Sequence, residues 1–66
     1  MPGITVNLIA GRTAEQKRNL ARAITEAAME HLDVPVEAVY VNFIDFEPTD
    51  WMSGGKTIAE KRADKG

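Results

Sequence analysis

Apolar and polar residues alternate over Ile4-Thr5-Val6-Asn7-Leu8-Ile9, and the segment is rich in β-branched side chains. Period-two alternation of this kind predicts a β-strand with one half-buried face. Ala10-Gly11-Arg12 then reads as a short turn. Thr13 followed by Gln16 forms a capping box, so a helix should begin near Ala14. Beyond it Leu20, Ile24, Ala27, Ala28 and Leu32 recur at helical spacing and make one apolar stripe. Glu15, Arg18, Arg22, Glu26 and Glu30 occupy the wet side. Asp33-Val34-Pro35 ends the helix, because the proline ring forces Val34 out of the helical region.

Alternation resumes over residues 39–46 and predicts a second strand. Val39, Val41 and Phe43 point to one face; Tyr40, Asn42, Ile44 and Phe46 point to the other. Strand, helix and strand on short connections make a βαβ unit, so the strands should run parallel with a right-handed crossover. Glu47-Pro48-Thr49-Asp50 reads as a turn. Residues 51–56, which carry Gly54-Gly55, read as a loop or short hairpin. The charged tail over 59–66 reads as frayed. The expected fold class is therefore α/β, a single βαβ domain over 1–66.

One helix covers only one face of two strands. Tyr40, Ile44, Phe46 and Ile9 are left on the other, and both sheet edges are unpaired, which invites another chain. Two units joined edge to edge would give a four-stranded sheet with two helices on one face. Length sharpens this expectation. A chain of 66 residues buries only about 60% of its unfolded surface, and domains of this size rely on disulfides, metals or partners. There is no cysteine, and His31 is the only histidine, which leaves association as the expected source of stability. The lack of cysteine fits the cytoplasm. No apolar run has the length of a signal or membrane segment. A net charge of −2 without a basic cluster argues against nucleic acid as a partner.

Pro2 carries the candidate chemistry. Once Met1 is removed, the chain begins with a secondary amine. A free α-amino group titrates near ~7.7–8.0, and burial beside a cation lowers it further by disfavouring the charged form. Such an amine is suited to act as a general base near neutrality. Arg12 stands beside a helix N-terminus, a poor place for a cation, which suggests a role in holding an anion. Trp51 suits a pocket wall or an interface anchor. Tyr40 reads either as a packing residue with its hydroxyl at the edge or as a substrate-binding residue along with Arg12 and Trp51. Gly54-Gly55 suits a turn with positive φ. Asp45, Glu47 and Asp50 read as solvated acids rather than metal ligands, and His31 suits the last turn of the helix.

Several features together resemble the 4-oxalocrotonate tautomerase family. They are Pro2, the turn Ala10-Gly11-Arg12-Thr13, Glu15-Gln16-Lys17 at the helix start, Leu32-Asp33-Val34-Pro35 at its end, and Trp51 ahead of Gly54-Gly55. The match runs over roughly residues 2–61. The resemblance implies a βαβ subunit in a homohexamer built as a trimer of dimers, with sites at subunit boundaries and no cofactor or metal. It also implies that Pro2 shuttles a proton between an enol oxygen and a carbon of an unsaturated 2-keto acid. Arg12 would grip the carboxylate of this small-molecule substrate, and Trp51 would wall the pocket. Where family members that handle dicarboxylates carry a second arginine, this chain has Tyr40. No Lys or Arg occurs between Arg22 and Lys56. A tyrosine hydroxyl donates one neutral hydrogen bond, about half the strength of a charge-assisted one. The resemblance therefore points to tautomerisation of a monocarboxylate, such as an aryl or alkyl 2-keto acid. The alternatives are hydratase or dehalogenase-type addition of water to an unsaturated acid, with Asp45 or Glu47 activating the water, and a non-catalytic ligand-binding oligomer.

Overall fold

β1 (Gly3–Ile9) and β2 (Tyr40–Phe46) lie side by side and parallel, with Gly3 opposite Tyr40 and Ile9 opposite Phe46. Between them runs α1 (Ala14–Leu32). This computed structural model describes residues 1–65. The capping box closes as the sequence predicts. The Gln16 backbone N–H donates to Thr13 Oγ1 at 3.1 Å, and the Thr13 N–H donates to Gln16 Oε1 at 2.8 Å. At the far end Asp33 takes the left-handed conformation with φ 55°, and its N–H donates to the Met29 carbonyl at 3.0 Å.

Ile4, Val6 and Leu8 of β1 are half-buried, as are Val41 and Phe43 of β2. Leu8 and Phe43 share a groove with Lys17 and Leu20 of α1, so this is the helix-covered face. The anticipated stripe on α1 divides. Ile24 and Ala28 are half-buried together with Lys17, Ala21, Thr25 and Met29, while Leu20 and Leu32 stay 44% and 57% exposed. Two strands spaced about 4.8 Å apart are too narrow to cover a helix about 10 Å across.

The segment after β2 forms a hairpin, β3 (Met52–Ser53) against β4 (Lys56–Thr57), turned by Gly54 at φ 64° and Gly55 at φ 81°. Two successive positive φ angles match the tight turn that follows strand twist, and glycine reaches them without steric cost. The tail read as frayed is instead helical over α2 (Ile58–Asp64); Gly66 lies outside the described residues. The Thr57 N–H donates to Glu60 Oε1 at 2.8 Å, and the Glu60 N–H donates to Thr57 Oγ1 at 3.0 Å. This is a second capping box of the Thr-x-x-Glu type. Lys56 pairs with Asp64 across the helix.

None of the described residues is buried in the protomer. Its accessible area is 4937 Å², against about 4100 Å² for a compact protein of this mass. Its radius of gyration is 15.3 Å, against about 11 Å for a compact chain of this length. The protomer is a thin slab of 45 × 24 × 15 Å whose apolar surfaces are all at least partly open. Among the described residues no helix is long and apolar enough to cross a membrane.

Candidate active site

Pro2 leads directly into β1 and is half-buried behind the exposed Met1. Its carbonyl accepts the Tyr40 N–H at 3.0 Å. Tyr40 opens β2, lies opposite Gly3 in register, and is 54% exposed. Pro2 and Tyr40 are therefore neighbours at the leading end of the two strands.

Arg12 and Trp51 sit at the trailing end. Gly11, at φ 129°, turns the chain out of β1, and Arg12 follows it immediately before the Thr13 cap. Arg12 lines an open groove of about 210 Å³ with Leu8, Gln16, Lys17, Leu20 and Phe43 on the helix-covered side. Lys17 Nζ meets Asp45 Oδ2 there at 2.7 Å and ties the first turns of α1 to the end of β2. Trp51 stands edge-on to Phe46, with ring centroids 5.5 Å apart and planes at 89°. It shares a shallow hollow of about 250 Å³ with Asn7, Phe46, Asp50 and Met52. Asn7 and Phe46 belong to the sheet face that α1 leaves open.

A seven-residue strand at ~3.3 Å per residue spans about 23 Å. The protomer thus separates Pro2 and Tyr40 from Arg12 and Trp51 by most of its sheet. No single copy brings Pro2 and Arg12 together.

The remaining candidates are also placed. Asp45 is engaged by Lys17, while Glu47 and Asp50 are exposed around the turn Pro48–Asp50. The described residues contain no group of three His, Cys, Asp or Glu side chains that could hold a metal ion. His31 lies exposed beside Glu30 at 3.7 Å. The Thr57 backbone N–H, and then its hydroxyl, hold the Glu60 carboxyl below the ordinary glutamate value of 4.5.

Two parts of the site escaped the sequence reading. One is the Lys17–Asp45 pair, whose members are 28 positions apart. The local sign of it is the spacing of Lys17 four residues before Ala21, which puts the two on one helix face; both are half-buried in the structure. The other is Phe46 as the partner of the Trp51 ring, which depends on how the 48–50 turn folds back.

Comparison with known proteins places these features in a common frame. The tautomerase enzyme family model matches residues 2–61. The chain is similar to a probable tautomerase of Bradyrhizobium diazoefficiens, 41% identical over 63 residues, covering 96% of this chain and 94% of the relative. Its fold is similar to that of TomN, a 4-oxalocrotonate tautomerase homologue of the tomaymycin biosynthetic pathway. There the TM-score is 0.94 and the identity 42%, over 98% of this chain and all of that one. It is also similar to a subunit of the heterohexameric 4-oxalocrotonate tautomerase of Chloroflexus aurantiacus, with TM-score 0.86 and 38% identity over 91% of this chain and 97% of that one.

Proposed function

The chain belongs to the tautomerase family, whose members are isomerases, and on that footing we propose that it interconverts the enol and keto forms of a 2-keto acid with Pro2 as general base. The observation that supports the reading is the separation of Pro2 and Arg12 to opposite ends of a protomer in which no described residue is buried. Base and anion holder lie at opposite ends of a slab that cannot stand alone, so association completes the site and covers the apolar faces in one step.

An antiparallel pairing of two copies through the free edge of β1 would bring the start of one strand to the end of the other. Pro2 of one copy then approaches the turn that carries Arg12 in the other. The pairing extends two strands to a four-stranded sheet and leaves the face with Tyr40, Ile44 and Phe46 for further copies. A trimer of such dimers closes that face, and the chain folds as one domain over 1–66 within it. The heterohexamer of the Chloroflexus relative supports a six-subunit assembly. The absence of cysteine supports a cytoplasmic location.

In this site Pro2, freed of Met1 and neutral, takes a proton from the enol oxygen and returns it to carbon. Arg12 holds the carboxylate, and its positive potential also disfavours protonation of the amine. Trp51 shelters the pocket, and exclusion of water strengthens both interactions. Tyr40, beside Pro2, offers a neutral hydrogen bond rather than a second charge, which favours a monocarboxylate. The hydration reading has less support, since Asp45 is already held by Lys17.

The test is turnover of phenylpyruvate enol by Pro2→Ala protein whose terminus has been checked by intact mass. A primary amine with a different pKa should reduce kcat/KM by at least about a hundredfold, the scale of general acid–base catalysis, with the oligomer intact. Equal rates for variant and parent would refute the base assignment.

A further inference from the structure

Phe46 is the last residue of β2, and Trp51 immediately precedes β3. The backbone is fixed at both places. The Phe46 carbonyl accepts the Ala10 N–H at 2.8 Å, which ties the end of β2 to the end of β1. The Trp51 carbonyl accepts the Ile58 N–H at 2.9 Å, one rung beyond the Met52–Thr57 pair of the hairpin. Between them the Asp50 N–H donates to the Glu47 carbonyl at 2.8 Å and turns the chain back.

The indole is held differently. It lines the open hollow of about 250 Å³, and its side chain makes no hydrogen bond among the described residues. Its one aromatic neighbour among them is Phe46, edge-on at 5.5 Å and 89°. Ring quadrupoles favour this arrangement, and both residues are half-buried. A ring on a fixed strand end therefore chooses how the indole stands.

We propose that Phe46 is a positioning residue of the site: its ring selects the orientation in which Trp51 walls the pocket, and so sets the affinity for the apolar part of the substrate. The proposal rests on the reading of Trp51 as a pocket wall. It goes beyond that reading, because Phe46 acts through the indole and need not touch the substrate. A wall that stands in place only part of the time weakens binding by that fraction. An edge-to-face pair is strong enough to change such a population about two- to tenfold.

Trp51 is the only tryptophan, so its fluorescence reports on this indole alone. The variant Phe46→Leu keeps an apolar side chain and removes the ring. In protein shown by sedimentation to be assembled, it should increase acrylamide quenching of Trp51 and raise KM for phenylpyruvate enol about two- to tenfold. The pH at which activity rises should stay where it is, since Pro2 is untouched. Phe46→Tyr, which retains a ring, should keep the quenching and KM of the parent. In a Trp51→Ala background Phe46→Leu should have no further effect on KM, because the residue through which it acts is gone.

An unchanged KM in Phe46→Leu, equal changes in Phe46→Leu and Phe46→Tyr, or a penalty that persists in the Trp51→Ala background would overturn the proposal. Should Phe46→Leu not assemble, Phe46→Ile, whose branched side chain suits a strand, is judged by the same outcomes. Trp51→Ala separates this idea from the one beneath it. If Trp51→Ala leaves KM for phenylpyruvate enol unaltered, the pocket-wall reading falls. If that KM rises while Phe46→Leu matches the parent, only the positioning role falls.

Discussion

Replacing Ile44 by aspartate tests whether the uncovered sheet face is an assembly surface. Ile44 projects from β2 on the side away from α1, beside the register position of Asn7. Fully burying an isoleucine is worth about 1.5–3 kcal/mol, so the 46% still exposed in the protomer leaves about 0.7–1.4 kcal/mol per copy for association to supply. A carboxylate at the same place loses that gain and adds a desolvation penalty of several kcal/mol per ion. Together these come to about 4 kcal/mol per copy, or roughly a thousandfold in an association constant at about 1.4 kcal/mol per factor of ten. Sedimentation velocity across a range of concentrations reads the effect, with activity measured on the same samples. Ile44→Asp should dissociate at concentrations where the parent is assembled, and activity should disappear with the assembly because neither half-site works alone. Glu30→Gln, on the exposed side of α1, serves as the control. An Ile44→Asp protein that sediments and turns over like the parent would show that this face is not covered, and the argument from the open slab would fail.

Two further outcomes concern the C-terminal segment. The Glu60 pKa is depressed in the folded chain, first by the Thr57 backbone N–H, so the capping box contributes fully above the ordinary glutamate range and is lost as pH falls through the lowered value. Amide exchange should show α2 opening in acid before α1, whose box uses the non-titrating Gln16; equal protection of both helices across the acid range would contradict this. Gly55→Ala places a side chain at φ 81° and should cost about 1–2 kcal/mol. It should loosen the hairpin beside Trp51, read as a lower melting temperature with a changed Trp51 emission. An unshifted melt would contradict the turn assignment.

Much of the fold was legible because its signals are local. Alternation marked β1 and β2 to within a residue, Thr13 and Gln16 marked the start of α1, and Pro35 marked its end. The α2 helix opens with a Thr-x-x-Glu box, the counterpart of the Thr-x-x-Gln box of α1, yet its segment reads in the sequence as a tail. Over seven residues there is too little length for an apolar stripe to emerge, and charge alone read as a solvated tail. The site behaves differently. The family resemblance singles out Pro2, Arg12 and Trp51 one by one, and Tyr40 as a departure from it, but their division between the two strand ends was not legible, since periodicity says nothing about distances across a sheet. The Lys17–Asp45 pair was illegible for a related reason: it joins the first turns of a helix to the end of a strand reached only after the whole crossover. The exposed Leu20 and Leu32 show the limit from the other side. A helical stripe predicts which residues seek burial, not whether this chain or another copy provides it.

The measurement that bears most directly on the account is a titration of the Pro2 nitrogen by ¹⁵N NMR in the assembled protein, set against the pH dependence of kcat/KM. A free secondary amine with a pKa below ~7.7, and an activity that rises with pH along the same curve as the amine loses its proton, is the predicted result. A nitrogen that does not titrate because Met1 still acylates it, in protein that turns over enol at full rate, would contradict the account.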